Sequence, residues 1–184
     1  FIEANLSGAM MDRCNMFACD LRFANMENTS LKRADLRGAC ARGAKMNGAD
    51  MLSADLREGH VVSYERSGEL NSLYVEIEPP DTNGNTDFSK AKMSSARLSG
   101  ATATKADFRE TEMTSVRMRK ANMRGANFEG ANIEHADLTG ADMSGAVLKD
   151  SIMVGAMTDM AEFEGADLSG AMREGKSGKN IKNL

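Results

Sequence analysis

The chain has 184 residues, 41% of them hydrophobic, with 23 Lys and Arg against 27 Asp and Glu, for a formal net charge of −4. That length supports one domain with its own core, but aromatics make up only 5% and Trp is absent, fewer large rings than a globular α/β enzyme of this size normally carries. No stretch approaches the ~18 consecutive apolar residues of a membrane span, and no charged-then-apolar leader opens the chain.

From the N-terminus, small residues recur every five positions: Ala4, Ala9, Cys14, Cys19, Ala24, Thr29, Ala34, Ala39 and onward to Ala54. Two residues after each comes a position that is usually large and apolar, beginning Leu6, Met11, Met16, Leu21, Met26 and Leu31. Asp or Asn stands between the two in most units, as at Asn5, Asn15, Asp20, Asn25 and Asp35. Such internal repetition decides the fold before any local pattern does. A helix rotates about 500° over five residues, so these positions would spiral round it and form no stripe. On a flat strand an odd step sends every second unit to the opposite face. Each unit must therefore contain its own corner, and Gly near that corner, as at Gly8, Gly38, Gly43 and Gly48, suits the demand for backbone freedom.

The unit Ala-Asp/Asn-Leu/Met/Phe-x-Gly resembles the pentapeptide-repeat family, over roughly 1–57 and again over 88–173. The resemblance implies an all-β fold, a right-handed quadrilateral β-helix in which four units make one turn and residues twenty apart stack. Phe88, Phe108, Phe128, Leu148 and Leu168 would then form one internal column at the ~4.8 Å spacing of neighbouring strands. Of 15 methionines, 11 fall on the large inward position, where a flexible side chain fills irregular interior space. Cys14 and Cys19 occupy small inward slots and are expected to be buried, whereas Cys40 takes an Asp/Asn slot and is expected to be exposed. Three cysteines without C-x-x-C spacing read as free thiols in a reducing compartment, hence the cytoplasm. The register is already running at Phe1, so more chain or a partner is expected to precede it.

The repeat fails over 58–87 and returns two residues out of phase. Two β-rich runs, His60–Tyr64 and Leu70–Ile77, flank Ser67 and Gly68 in the manner of a hairpin, and Pro79 and Pro80 end it. This insertion reads either as a recognition element presenting Tyr64 and Tyr74 or as a cover over a seam between the two blocks. The second block, 88–173, continues the pattern, and 174–184 is a polar tail. Charge is banded: net −6 over the insertion, +6 over 88–124 and −7 over 125–173.

Catalysis needs unlike groups converging in a cleft, and neither His60 nor His135 has a base, nucleophile or metal-ligand partner at useful spacing. Gly170 to Ser177 matches a phosphate-loop pattern, but it follows an ordinary repeat unit and leaves too few residues for the helix such a loop requires. The expectation is a non-catalytic protein–protein interaction scaffold without cofactor or metal. Its partner would be an unidentified protein, with no membrane and no direct nucleic-acid contact, and its oligomeric state is left open. The candidate interaction surface comprises Tyr64 and Tyr74, the basic residues Arg109, Arg117, Arg119, Lys120 and Arg124, and the acidic residues Glu129, Glu134 and Asp142. The alternative, implied by the resemblance, is a DNA-mimic protein that binds DNA gyrase or topoisomerase and protects against its inhibitors.

Overall fold

A computed structural model of the chain describes residues 1–59 and 85–173. In each unit the inner large residue accepts, at its carbonyl, the N–H three residues on, as when Ala9 donates to Leu6 at 3.0 Å. That bond closes a four-residue turn whose third member has positive φ (Gly8, 69°), the pattern of a type II turn. The turn is the corner that the five-residue period demands. Between corners, three residues run extended and pair in parallel with the unit twenty residues away: Asn5 with Asn25, Asn25 with Lys45, Asp107 with Asn127. Four units therefore complete one coil, and the chain is a right-handed, four-sided β-helix. That hand is the one taken by crossovers between parallel strands.

The sides are numbered here by their inner columns. Side one stacks Met26, Met46, Phe88, Phe108, Phe128 and Leu148, and side two stacks Leu31, Met51, Met93, Met113, Ile133 and Met153. Side three holds Met16, Leu36, Leu56, Leu98, Met118 and Leu138, and side four Leu21, Ala41, Ala103, Met123 and Met143. All of these are buried. The three rings of side one lie face to face, with centroids 5.0 Å and 4.8 Å apart and planes within 2° and 9°. Coil spacing imposes this face-to-face geometry, which isolated rings do not prefer. The small inner slot admits Ala because the chain turns tightly there. At three slots where Thr or Ser replaces it, the hydroxyl donates to the carbonyl three residues back: Thr29 to Met26 (2.7 Å), Thr111 to Phe108 (2.7 Å), Ser151 to Leu148 (2.6 Å). A buried hydroxyl is tolerated only with such a partner.

Cys14 and Cys19 are half-buried rather than fully buried. They stand in the first described coil, which has a stacked neighbour on one side only, whereas Ala34 and Ala39 one coil later are closed off. Cys40 is also half-buried, not exposed. The middle residue of each unit lies in the plane of a ladder, and Asp20 is bridged directly beneath Cys40.

Every second turn residue in the described units has φ between 53° and 71°. Seventeen of these are not Gly, and each such residue strains the backbone by roughly 1–2 kcal/mol. Gly is obligatory where a bulky neighbour lies below it. A Cβ on Gly43 (φ 67°) would meet the Phe23 ring at 2.5 Å. Gly43→Ala is expected to destabilise by about 1–3 kcal/mol, the range for a strained backbone position. The double variant with Phe23→Ala should recover part of that loss in denaturant melts.

Across the seam the ladder continues on three sides, but with an offset of 42 in place of 20: Lys45 pairs with Asp87, Asp50 with Lys92, and Asp55 with Arg97. Gly59 still belongs to the first block, because its carbonyl accepts the Thr102 N–H at 3.0 Å, and Thr86 is already in register, donating to Ala41 O at 2.7 Å. The chain therefore leaves side four just after Gly59. The two runs expected to form a hairpin, 60–64 and 70–77, lie outside the described residues with Tyr64 and Tyr74, as does the tail from 174. Excising residues 60–81 joins Gly59 to Thr82 and returns the offset to 20, so we expect the β-rich circular dichroism and cooperative melting to survive that deletion.

Candidate interaction surface

Three residues of each unit face outward: the middle residue of the extended side and the two turn residues. The middle residue is usually Asp or Asn for a local reason. The first turn residue has no backbone acceptor for its N–H, and a side-chain oxygen two residues earlier reaches it. Asn15 accepts from Phe17 (3.0 Å), Asp35 from Arg37 (3.2 Å), Asp107 from Arg109 (3.0 Å), Asn127 from Glu129 (3.0 Å) and Asp137 from Thr139 (3.1 Å). This is the Asx turn, repeated at every corner that carries the residue. Where Arg follows, the same carboxylate takes a forked ion pair, 2.7 Å for Arg37–Asp35 and 2.6 Å for Arg109–Asp107. Hydrogen bonding from Arg37 pulls the Asp35 carboxyl down to about 2.

The candidate residues fall into separate groups on this lattice. Arg117 lies on side three, and Arg119 and Lys120 form the turn that follows it. Arg109 and Glu129 share the turn between sides one and two, one coil apart. Arg124 stands at the turn after side four, Asp142 on side four, and Glu134 at the turn after side two. The three acidic candidates thus face different directions. Several basic and acidic candidates are also paired with one another or with neighbours: Arg124 with Asp142 at 3.1 Å, Lys149 with Glu129 at 3.0 Å, Arg119 with Asp137 at 3.7 Å. For Asp142, the bonds from Ser144 and Arg124 outweigh partial burial and lower its carboxyl pKa.

One feature that the candidate list omits is the set of units whose middle residue is basic. Lys45, Lys92, Arg97 and Arg117 occupy the position most often taken by Asp or Asn. Among the described residues the N–H groups of Ser99 and Arg119, which follow Arg97 and Arg117, have no hydrogen-bond acceptor. On side three the middle column reads Asn15, Asp35, Asp55, Arg97, Arg117, Asp137, Met157, so two basic corners without a side-chain cap lie between the capped corners of Asp55 and Asp137. The signal was present in the sequence as the four units that carry Lys or Arg in the Asp/Asn position. Among the described residues no set of three or more His, Cys, Asp and Glu is arranged to hold a metal ion, and no helix is long and apolar enough to cross a membrane.

Solved structures similar to this chain are pentapeptide repeat proteins. HetL from the cyanobacterium Nostoc sp., involved in heterocyst differentiation regulation, is 20% identical with a TM-score of 0.35, the match covering 94% of this chain and 90% of HetL. QnrB1, a plasmid-mediated fluoroquinolone resistance protein, is 20% identical with a TM-score of 0.42, covering 91% and 72%. A pentapeptide repeat protein of the Arabidopsis thaliana thylakoid lumen is 27% identical with a TM-score of 0.31, covering 44% and 63%. No curated protein sequence matches significantly. The pentapeptide-repeat family model matches in 8 copies, over residues 14–51, 91–130 and 126–157. Those matches span more than half of the chain and fall on its four-sided coils, and the chain belongs to the pentapeptide-repeat family.

Proposed function

We propose that this protein is a non-catalytic protein-interaction scaffold. The observation that supports it is the filled interior: every inner large side chain described from Met16 to Met153 is buried, so the chemistry available to a ligand is on the outer rows. Those rows repeat at about one strand spacing, and stacked repeats typically use such continuous surfaces to hold other proteins. Its three cysteines, none in a disulfide, favour the cytoplasm as its compartment.

Affinity capture from the native cell with the intact chain, followed by titration of the recovered protein, tests this reading. A saturable partner should lose affinity when Arg117, Arg119 and Lys120 are reversed to Glu, or when Glu129, Glu134 and Asp142 are reversed to Lys. A recovered partner indifferent to every surface change would overturn it. The purified protein is expected to leave DNA supercoiling by gyrase unaffected at micromolar concentration. Inhibition abolished by reversing Glu129, Glu134 and Asp142 would replace the scaffold reading with DNA mimicry.

A further inference from the structure

We infer that side three carries a carboxylate-binding site, formed where Arg97 and Arg117 replace the capping Asp or Asn, and that its occupant is an acidic segment of a partner protein. The inference rests on the scaffold reading and names the chemistry of one of its surfaces. Capped coils show what the corner accepts. At Asp35, Asp55 and Asp137 a carboxylate oxygen takes the N–H of the first turn residue at 3.1–3.2 Å. At the two intervening coils the same N–H, from Ser99 and from Arg119, has no acceptor among the described residues. Each intervening unit also presents a guanidinium where its neighbours present a carboxylate. A carboxylate supplied from outside would take the role that the chain's own Asp plays one coil away.

The charges around the site agree with that occupant. Arg97 reaches Asp55 only at 3.7 Å, and Asp55 is already held by Arg57 at 2.7 Å. Arg119 reaches Asp137 at 3.7 Å. Arg117 and Lys120 have no ion-pair partner among the described residues and are exposed. Four cations therefore lie on two adjacent coils, two of them in long ion pairs and two, Arg117 and Lys120, in none among the described residues. The patch is short: Asp55 and Glu58 border it on one side and Asp137 on the other. A polyanion such as nucleic acid derives its affinity from many phosphates along its length, and here it would meet carboxylates after two coils. No aromatic side chain lies in the patch to stack a base.

The spacing narrows the partner further. Stacked coils place the two corners about 5 Å apart, as the ring centroids of side one show. Side chains four apart on a helix have Cβ atoms ~5–6 Å apart, whereas same-face neighbours on an extended strand are nearly 7 Å apart. A helix bearing Glu at positions four apart matches the pair of corners.

The experiment uses the full chain and a fluorescein-labelled helical peptide with one such Glu pair. Controls are the same peptide with Gln at both positions and a single-stranded oligonucleotide of equal net charge. Binding by fluorescence anisotropy is expected for the Glu peptide, and roughly a hundredfold weaker for the Gln peptide, as for the loss of two charge-assisted hydrogen bonds at about tenfold each. The deciding comparison is between two isocoulombic double variants, R97Q/R117Q and R97N/R117N. Both remove the same charge, but only Asn is short enough to cap the Ser99 and Arg119 amides itself. We expect the Asn variant to bind more weakly than the Gln variant while melting at the same temperature as the parent or higher, since Asn is the residue the repeat uses there. Equal loss in the two variants would mean that field alone attracts the peptide and would overturn the site. So would tighter binding of the oligonucleotide, or no binding of the Glu peptide. None of these failures touches the scaffold reading, which the captured native partner tests on the other faces as well.

Discussion

Phe108→Ala is expected to lower stability by about 3–5 kcal/mol, the range for truncating a buried ring, and to do so without changing the shape of the circular dichroism spectrum at low temperature. Phe108 is the middle of three stacked rings, and both neighbours lose a face contact when it goes. Coils cannot close up to refill the space, because their separation is held by backbone hydrogen bonds on both sides, such as Phe108 N–H to Asn127 O at 2.7 Å and Asp107 N–H to Thr86 O at 2.9 Å. The cavity term should therefore be near its full size. Phe128→Ala should cost less, since Leu148 rather than a ring stands above it. Denaturant melts that place Phe108→Ala within about 1 kcal/mol of the parent would show that the column is not rigid, contrary to the usual cost of buried-ring truncation.

Ala131→Asp should prevent folding, whereas Ala131→Thr should not. Ala131 is fully buried in the small inner slot of a central coil, where a carboxylate has no cation within the rod and must either ionise unpaired or protonate. Either state costs several kcal/mol, comparable with the whole margin of a domain this size. Thr in the same slot can donate to the Phe128 carbonyl, as Thr111 does to Phe108 one coil earlier at 2.7 Å. The Thr variant is therefore expected to lose about 1 kcal/mol or less, with a net hydrogen bond offsetting the crowding of its methyl group. Soluble expression and melting temperature distinguish the two. A folded Asp variant would mean that the slot is wetter than its burial implies.

How far the fold could be read from residues alone follows from what a five-residue period forces. An odd step with a constant inner set admits no helix and no flat strand, so the corner and the inward set were legible from Ala, Leu, Met and Phe spacing, while the four-unit coil and the ring stack followed from the family resemblance. The seam was legible as a phase shift, but its offset of 42 is a property of which coil receives the returning chain, and no local pattern encodes that. Burial at Cys14, Cys19 and Cys40 was misjudged because slot type sets direction only, and the neighbouring coils set depth. Charge was counted along the sequence as separate bands, whereas the rod pairs residues 18 or 20 apart, as in Arg124–Asp142 and Lys149–Glu129. For the candidate surface, the clustering of Arg117, Arg119 and Lys120 was visible as adjacency. The basic corners at Arg97 and Arg117 became apparent only once the Asx turn explained why Asp belongs there.

Most methionines of this chain are sorted by the same geometry into two populations, with Met11 between them. Ten methionines, Met16 through Met153, are buried in the inner columns, while Met10, Met157, Met160 and Met172 are at least half exposed. Oxidation to the sulfoxide makes the side chain polar, so an inner methionine can react only when its coil opens, and once oxidised it cannot readily repack. Mild peroxide should modify the exposed set at the rate of a free side chain and the inner set at the rate of coil opening. The order in which inner residues such as Met113, Met123 and Met143 then acquire oxygen, followed by mass spectrometry, becomes a coil-by-coil clock of how the rod unzips. It also implies a threshold in cells. Below it oxidants are absorbed at the outer sulfurs, and above it each inner hit weakens the adjoining stack and exposes the next.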